Sequence, residues 1–284
     1  AKSAINNNMI LRGISIGSPA FNNSFQNVSD APVSTYFGEI PLFAGIKLVD
    51  LERVEVLRGP QGTLYGSGSV GGTVRFLFNK PDTQENSGMI SGRISDNAHS
   101  DDLNYSTDFV GNLAVSDSFA LRVAVGYEQL GGVTDALGQV ARDGTGLPLQ
   151  ADPNDFTSGM VIVPKEDTDD MDSWYFRGSA LWNVGEDTDV LLTVFHQETD
   201  SGGDTIQGLE DTGKSGEVVP GEEWTHNQRL VNEGQEYDTD LLALEITSDL
   251  GFATATSATG FTETDKKYQN DLSGLYQRFD DQWG

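Results

Sequence analysis

The sequence predicts a small, loop-rich α+β unit over residues 1–81. Over residues 82–284 it predicts antiparallel strands of a transmembrane β-barrel that remains incomplete within this chain. Three observations lead there. Short apolar runs punctuated by Gly, Asn, Ser and Pro fill the first part. Longer segments with two-residue alternation fill the second. The connections between those longer segments switch between very short polar turns and long acidic loops, the pattern of a barrel whose two ends face different compartments.

In the first part, Met9–Leu11, Val33–Leu42, Val54–Leu57 and Thr73–Phe78 read as short strands between turns. From about residue 86 the segments lengthen, giving seven candidate strands at 87–96, 103–115, 119–128, 173–183, 189–199, 236–248 and 252–264. The clearest carries Phe119, Leu121, Val123, Val125 and Tyr127 on one face and Ala120, Arg122, Ala124, Gly126 and Glu128 on the other. A membrane-crossing strand needs such alternation over about 9 to 11 residues with aromatics near each interface, and Phe119 and Tyr127 bracket the apolar face in that way. Trp174, Phe176 and Trp182 share a parity, as do Leu242, Leu244 and Ile246. The segment Val190–Phe195 is apolar on both parities, so its faces stay unassigned.

A soluble β-sandwich, such as a surface-exposed ligand-binding module, would show the same alternation with its apolar side turned to a core. The connections separate the two. Turns at 116–118, 185–188 and 248–251 alternate with long stretches at 131–172, 200–235 and beyond 265. Loops of that length count against a compact soluble domain and suit a barrel with long extracellular loops.

Composition narrows the function. The chain has 284 residues, 44 acidic against 17 basic side chains and a formal net charge of -27. That balance argues against nucleic acid, which requires a basic footprint. With no cysteine there is neither a disulfide framework nor a thiolate chemistry. No apolar run approaches the roughly 18 to 20 residues of a spanning helix, which leaves a closed barrel as the other arrangement that satisfies every backbone amide in lipid. No basic and apolar leader opens the chain, so any signal peptide is expected to lie outside it.

The most informative stretch runs from Asp50 through Arg53-Val54-Glu55-Val56-Leu57-Arg58-Gly59-Pro60-Gln61-Gly62-Thr63-Leu64-Tyr65-Gly66, then Gly71-Gly72, to Lys80-Pro81. Its glycines allow positive φ and close backbone approach, and Pro60 fixes the exit from the strand. A phosphate-binding loop would need Gly-Lys-Ser/Thr and a following helix, and neither is present. A dinucleotide fingerprint fails for the same reason. Arg12, Arg53, Arg58 and Arg75 need carboxylate partners wherever they are buried.

This stretch, with Leu11-Arg12-Gly13-Ile14 and Tyr36-Phe37-Gly38-Glu39-Ile40-Pro41 upstream, resembles the plug signature of TonB-dependent outer-membrane receptors of the siderophore and nutrient type. The Gly-Glu order at the hairpin departs from the family's usual Asp-Gly. The resemblance implies the C-terminal part of a plug at 1–81 and the first part of a barrel, about seven strands, at 82–284. Transporters of this type have about 22 strands. It also implies a Gram-negative outer membrane and TonB-dependent uptake of a scarce ligand, a ferric siderophore or similar nutrient complex. TonB and its inner-membrane energising complex are the implied partners, acting through a segment expected before Ala1, with outer-membrane lipid around the barrel. A truncated, non-functional receptor is the other reading the length allows.

By the same resemblance, Arg12, Gly13, Arg53, Glu55, Arg58, Gly59, Pro60, Gly62, Tyr65, Gly66, Gly71 and Gly72 form the plug's structural motif, with Arg12 and Arg58 expected to face barrel glutamates. The apical plug loops at 18–32 and 43–49 are the expected ligand contacts, through Phe21, Asn22, Asn23, Phe25, Gln26, Asn27 and Phe43. No catalytic residues are expected, since no carboxylate pair or nucleophile sits in a recognisable motif, and the chain reads as no enzyme. Glu166, Asp167, Asp169, Asp170 and Asp172 cluster, as do Asp200, Asp204, Glu210 and Asp211. Such oxygens can hold Ca²⁺. No EF-hand spacing accompanies them, however, and a solvated surface is the commoner role of such a run, so no metal site and no cofactor is assigned. The three histidines, His99, His196 and His226, are isolated in sequence.

Overall fold

A computed structural model describes residues 10–11, 14–15, 33–42, 44–65, 69, 71–155, 158–202, 225–226, 231, 233–269 and 271. A small ladder of β1 (Ile10–Leu11) and β2 (Ile14–Ser15) comes first. A four-stranded sheet follows, built from β3 (Val33–Phe37), β4 (Ile40–Leu42), β5 (Leu51–Arg58) and, after the one-turn helix α1 (Gly62–Tyr65), β6 (Gly72–Phe78). Its order is β4-β3-β6-β5, with β3 and β6 parallel and the other neighbours antiparallel. Gly38, at φ 57°, makes the β3–β4 turn possible. Val33, Leu42, Val74 and Phe76 form this sheet's own core.

The remaining strands are β7 (Ser87–Ser95), β8 (Asn104–Ser116), β9 (Phe119–Leu130), β10 (Asp135–Val140), β11 (Ile162–Lys165), β12 (Met171–Val184), β13 (Thr188–Gly202), β14 (Thr225–His226), β15 (Gly234–Asp249) and β16 (Thr254–Gln269). Seven of them make one antiparallel wall in the order β16-β15-β13-β12-β9-β8-β7. These are the seven strands expected from alternation. The sequence did not reveal β10, β11 and β14, which form a separate small sheet within the long loops.

The wall's two faces differ as the alternation requires. On the outer face Phe109, Leu121, Val125, Phe176, Leu192, Val194, Leu242 and Leu244 are exposed. In a sandwich these side chains would lie under a second sheet. Phe119 stands in register with Trp182, and Tyr127 with Trp174, so aromatics border the apolar band on both sides. The eight residue steps from Trp174 to Trp182 span about 26 Å along the strand, which a tilt of ~40° shortens to about 20 Å, near the ~25 Å apolar band of outer-membrane barrels.

The inner face carries small or polar residues at the same register: Ala120 and Ala124 are fully buried, and Asn112, Ser179 and Thr193 are buried. This face is covered by the four-stranded sheet. Phe37, Ile40, Ile46, Val49 and Phe78 of the N-terminal unit join Val110, Ala124, Tyr175, Phe195, Leu241 and Ala243 of the wall in one apolar cluster. The ambiguous segment Val190–Phe195 is thereby explained. Its outward side, Leu192 and Val194, is exposed, while Phe195 on the inward side packs against Phe37 with ring centroids 6.0 Å apart.

Candidate functional site

The glycine-rich motif folds back on itself beside β6. Gly59 takes φ 85° and its amide donates to the Gly71 carbonyl at 3.3 Å, while the Gln61 amide donates to Ser69 at 2.9 Å. A Cβ on Gly59 would meet nothing within 4 Å, and the same holds at Gly62. Backbone conformation rather than close packing therefore demands glycine at 59, whereas the φ of Gly62 lies outside the left-handed region. Pro60 follows in the turn, and Gly72, at φ 145°, opens β6. Tyr65 ends α1, its ring meets Tyr36 edge-on at 5.0 Å, and its carbonyl accepts the Tyr36 hydroxyl at 2.7 Å.

Charges on this sheet pair with one another. Glu55 accepts from Arg53 Nε at 2.8 Å and from Arg75 Nη1 at 2.7 Å, and Arg75 also pairs with Glu39. Arg53 pairs with Glu52 as well. Arg58 is exposed, and no carboxylate among the described residues pairs with it. The motif residues Arg12, Gly13 and Gly66 lie outside the described residues, as do all the expected ligand contacts: Phe21, Asn22, Asn23, Phe25, Gln26, Asn27 and Phe43.

The strongest polar contact between sheet and wall centres on Asp50, which precedes β5. Its carboxylate is 4% exposed. Arg122 on β9 grips it side-on with the Nε/Nη2 edge of its guanidinium, Nε donating to Oδ2 at 2.7 Å and Nη2 to Oδ1 at 2.6 Å. Arg177 on β12, itself 3% exposed, pairs with the same carboxylate and lies over the Phe78 ring at 4.4 Å. Asn79, just past β6, donates Nδ2 to Oδ1 at 2.8 Å and its backbone amide to the Asp50 carbonyl at 3.0 Å. Burial alone would raise the Asp50 pKa, but the hydrogen bonds from Arg122 and Asn79 and the charges of Arg177 and Arg122 outweigh it and hold the carboxyl below its ordinary range.

Three residues away, Lys47 Nζ pairs with Glu128 on β9 at 2.5 Å, and its backbone amide donates to Gln197 on β13 at 2.7 Å. The resemblance implies cations on the plug facing barrel carboxylates. Lys47 and Glu128 follow that polarity, while at Asp50 it is reversed, with the carboxylate on the sheet and the arginines on the wall. Asp50 opens the motif stretch, but nothing local could have paired it with residues 72 and 127 positions away. A usable signal did exist on the wall. Arg122 lies on the small-residue face of an otherwise apolar strand, and an ionic group there must meet a partner.

The acidic loop residues have local work. Asp169 accepts the amides of Val133 at 2.7 Å and Thr134 at 2.9 Å, and the Thr134 hydroxyl at 3.1 Å. Asp167 accepts the Asp101 amide at 2.9 Å, and the Tyr127 hydroxyl donates to Asp172 at 2.5 Å. Burial first, and then the neighbouring carboxylates, raise the pKa values of Asp167 and Asp170, against a lowering pull from the Asp101 amide at Asp167 and from Lys165 at Asp170. Among the described residues no three His, Asp or Glu side chains converge as a metal site requires. Asp204, Glu210 and Asp211 lie outside them. His196 faces outward, bonded through Nδ1 to Asp240 at 2.8 Å, with its ring tilted against Trp174 at 4.8 Å between centroids.

Comparison with known proteins supplies the context for this geometry. Residues 2–73 match the family model described as TonB-dependent Receptor Plug Domain. A 142-residue stretch is 29% identical to the pesticin receptor of Yersinia pestis, covering 46% of this chain and 20% of that protein. The fold superimposes on the ferric yersiniabactin uptake receptor of Yersinia pestis with a TM-score of 0.61 at 16% identity, over 93% of this chain and 35% of that one. It also superimposes on the siderophore receptor of Acinetobacter baumannii with a TM-score of 0.60 at 17% identity, over 93% and 31%. The chain thus spans about a fifth of the curated relative's length and about a third of each solved chain.

Proposed function

We propose, from the premise that this chain belongs to the TonB-dependent receptors of the outer membrane, that it serves active import of a ferric siderophore. The four-stranded sheet is then the plug, and the seven-stranded wall is part of the barrel around it. The observation that carries the reading is the occupied inner face. The plug covers the wall's inner face with an apolar cluster and a buried ion cluster, so a bulky ligand needs the plug to move. Movement against buried contacts requires work, and TonB with its inner-membrane energising complex is the partner that would supply it.

The ligand would be held on the outer side between the apical plug loop at 18–32, with Phe43, and the long wall loops; residues 44–49 of the other expected contact loop are instead tied to the wall through Lys47 and Val49. Phe21, Phe25 and Phe43 would offer aromatic surface there, and Asn22, Asn23, Gln26 and Asn27 amide hydrogen bonds. We assign the chain no bond chemistry. Ferric siderophores are favoured because the solved chains on which this fold superimposes include a siderophore receptor and a ferric yersiniabactin uptake receptor.

The test uses the full-length receptor expressed in an iron-starved host that lacks its own siderophore receptors. Radio-iron-loaded siderophores from the source bacterium are the probe. Uptake that disappears in a TonB-null host and on adding a protonophore is the expected result. Uptake that persists in either condition would overturn the reading and favour a passive channel.

A further inference from the structure

Besides the shared apolar cluster, the plug meets the wall in two places of different character. The first is a strap, residues 44–50, with the adjoining Asn79. It holds Asp50 between Arg122 and Arg177, Lys47 against Glu128, the Lys47 amide against Gln197, and the Val49 carbonyl near Arg177 at 3.4 Å. These contacts reach three wall strands, β9, β12 and β13. Asp50 also takes φ 63°, a conformation that a non-glycine residue keeps only where its surroundings enforce it. Asn79 ties the exit of the plug's last strand to the same carboxylate.

The second place is the β3–β4 hairpin against β15 and β16. Ile40 sits on bare backbone at Gly260, where a Cβ would stand 2.6 to 2.9 Å from three of its side-chain carbons. At the turn, a Cβ on Gly38 would stand 2.8 Å from a Glu245 oxygen, and the Glu39 amide bonds that carboxylate. Among the described residues this contact is an apolar shape fit, Phe37 packing on Phe195 of β13 as well, with the Glu39 amide supplying its hydrogen bond. Among the described residues no ion pair joins hairpin and wall.

We infer that the strap is the plug's fixed root and the hairpin its releasable side, so that the gate opens by peeling β3 and β4 from β15 and β16 while residues 44–50 stay on β9, β12 and β13. The inference rests on the import reading. Chain order supports it as well, since tension entering from the N-terminal side loads residues 33–42 before it reaches the strap. A buried ion cluster resists separation because each charge stripped of its partner stays desolvated, whereas a shape fit is lost by a small displacement.

Two tethers in the full-length receptor separate root from gate. The pair I40C and G260C places two thiols where the side chain of residue 40 already touches the position of a Cβ at 260, so the two side chains meet as a disulfide requires. Its oxidation is expected to abolish siderophore-iron uptake, and reductant to restore it. The pair K47C and E128C, bridged by a short bis-maleimide, is expected to leave uptake intact. Loss of uptake with the strap bridged, or full uptake with the hairpin bridged, would overturn the inference.

A second measurement does not depend on transport. Single cysteines I40C and V49C are probed with a soluble maleimide across a urea titration, and position 40 is expected to react at lower urea than position 49. Coincident or reversed midpoints would overturn the inference. Absence of uptake in the unbridged receptor would instead defeat the import reading, and the titration would still decide where the plug is rooted.

Discussion

Asp50 concentrates three demands on one residue: a left-handed backbone, a buried carboxylate and two arginine partners. Replacing it with Asn keeps the shape and removes the charge, leaving Arg177 buried with no counter-ion. Breaking one side of a buried pair costs about 3–5 kcal/mol. Asp50→Asn is therefore expected to lower plug stability by that order, read as a lower urea midpoint for exposure of a plug cysteine in the full-length receptor. The pH dependence follows from the depressed pKa. A carboxyl whose folded pKa lies below its unfolded value, about 3.9 for Asp, stabilises fully above that value and loses the contribution as pH falls through the folded pKa. The wild-type plug should thus hold its midpoint from neutral pH down to about 4 and lose it below. The Asn variant should start lower and show less of that acid-dependent fall. A variant whose midpoint matched wild type at neutral pH would remove Asp50 from its role. Asp167 and Asp170 have the opposite sign. Their raised pKa values mean that their charge weakens the loop, and acidification relieves it.

At the scale of elements, the wall strands were legible and the loops were not. Alternation is strong in β8, β9, β12 and β15 because one side faces apolar surroundings and the other faces the plug or polar space, and a single slip of register would reverse both. Each of these strands runs a few residues further than its apolar band, since the polar ends pair without any hydropathy signal. The small sheet of β10, β11 and β14 joins segments up to about 90 residues apart, and β10 pairs with β14 in parallel, so no local pattern announces it. Helix α1 is a single turn and escapes any periodicity. The parity assignment itself is testable. Leu242 projects from the middle of the outer band, in register with Val194 and Phe261, whereas Asp238 projects from the same face in the Trp174 row at the edge of the band. Leu242→Arg is expected to cost about 2–4 kcal/mol in lipid vesicles, while Asp238→Arg should change stability by only about 0–1 kcal/mol. Equal effects would mean that the apolar band does not meet hydrocarbon.

For the molecule as a whole, the two ends of the wall state an orientation. Strand pairs are closed at one end by short turns, Gly185 with φ 71° in one and Gly251 with φ 81° in another. At the other end lie the hairpin extension from β10 to β11, with its tip at 143–146, and the carboxylates that cap loop amides. In outer-membrane barrels the short turns face the periplasm and the long loops face outward. The strap and the Asp50 cluster then lie inside the barrel wall, between those ends. Since the sequence contains no cysteine, single thiols report position without background. Thr145→Cys is expected to react with a membrane-impermeant maleimide on intact cells. Glu186→Cys, in the turn between β12 and β13, should react only after the outer membrane is permeabilised. The reverse pattern would invert the wall and place the 143–146 tip in the periplasm. It would also put the extracellular ligand mouth at the short turns, where the described loops are too small to close over a siderophore.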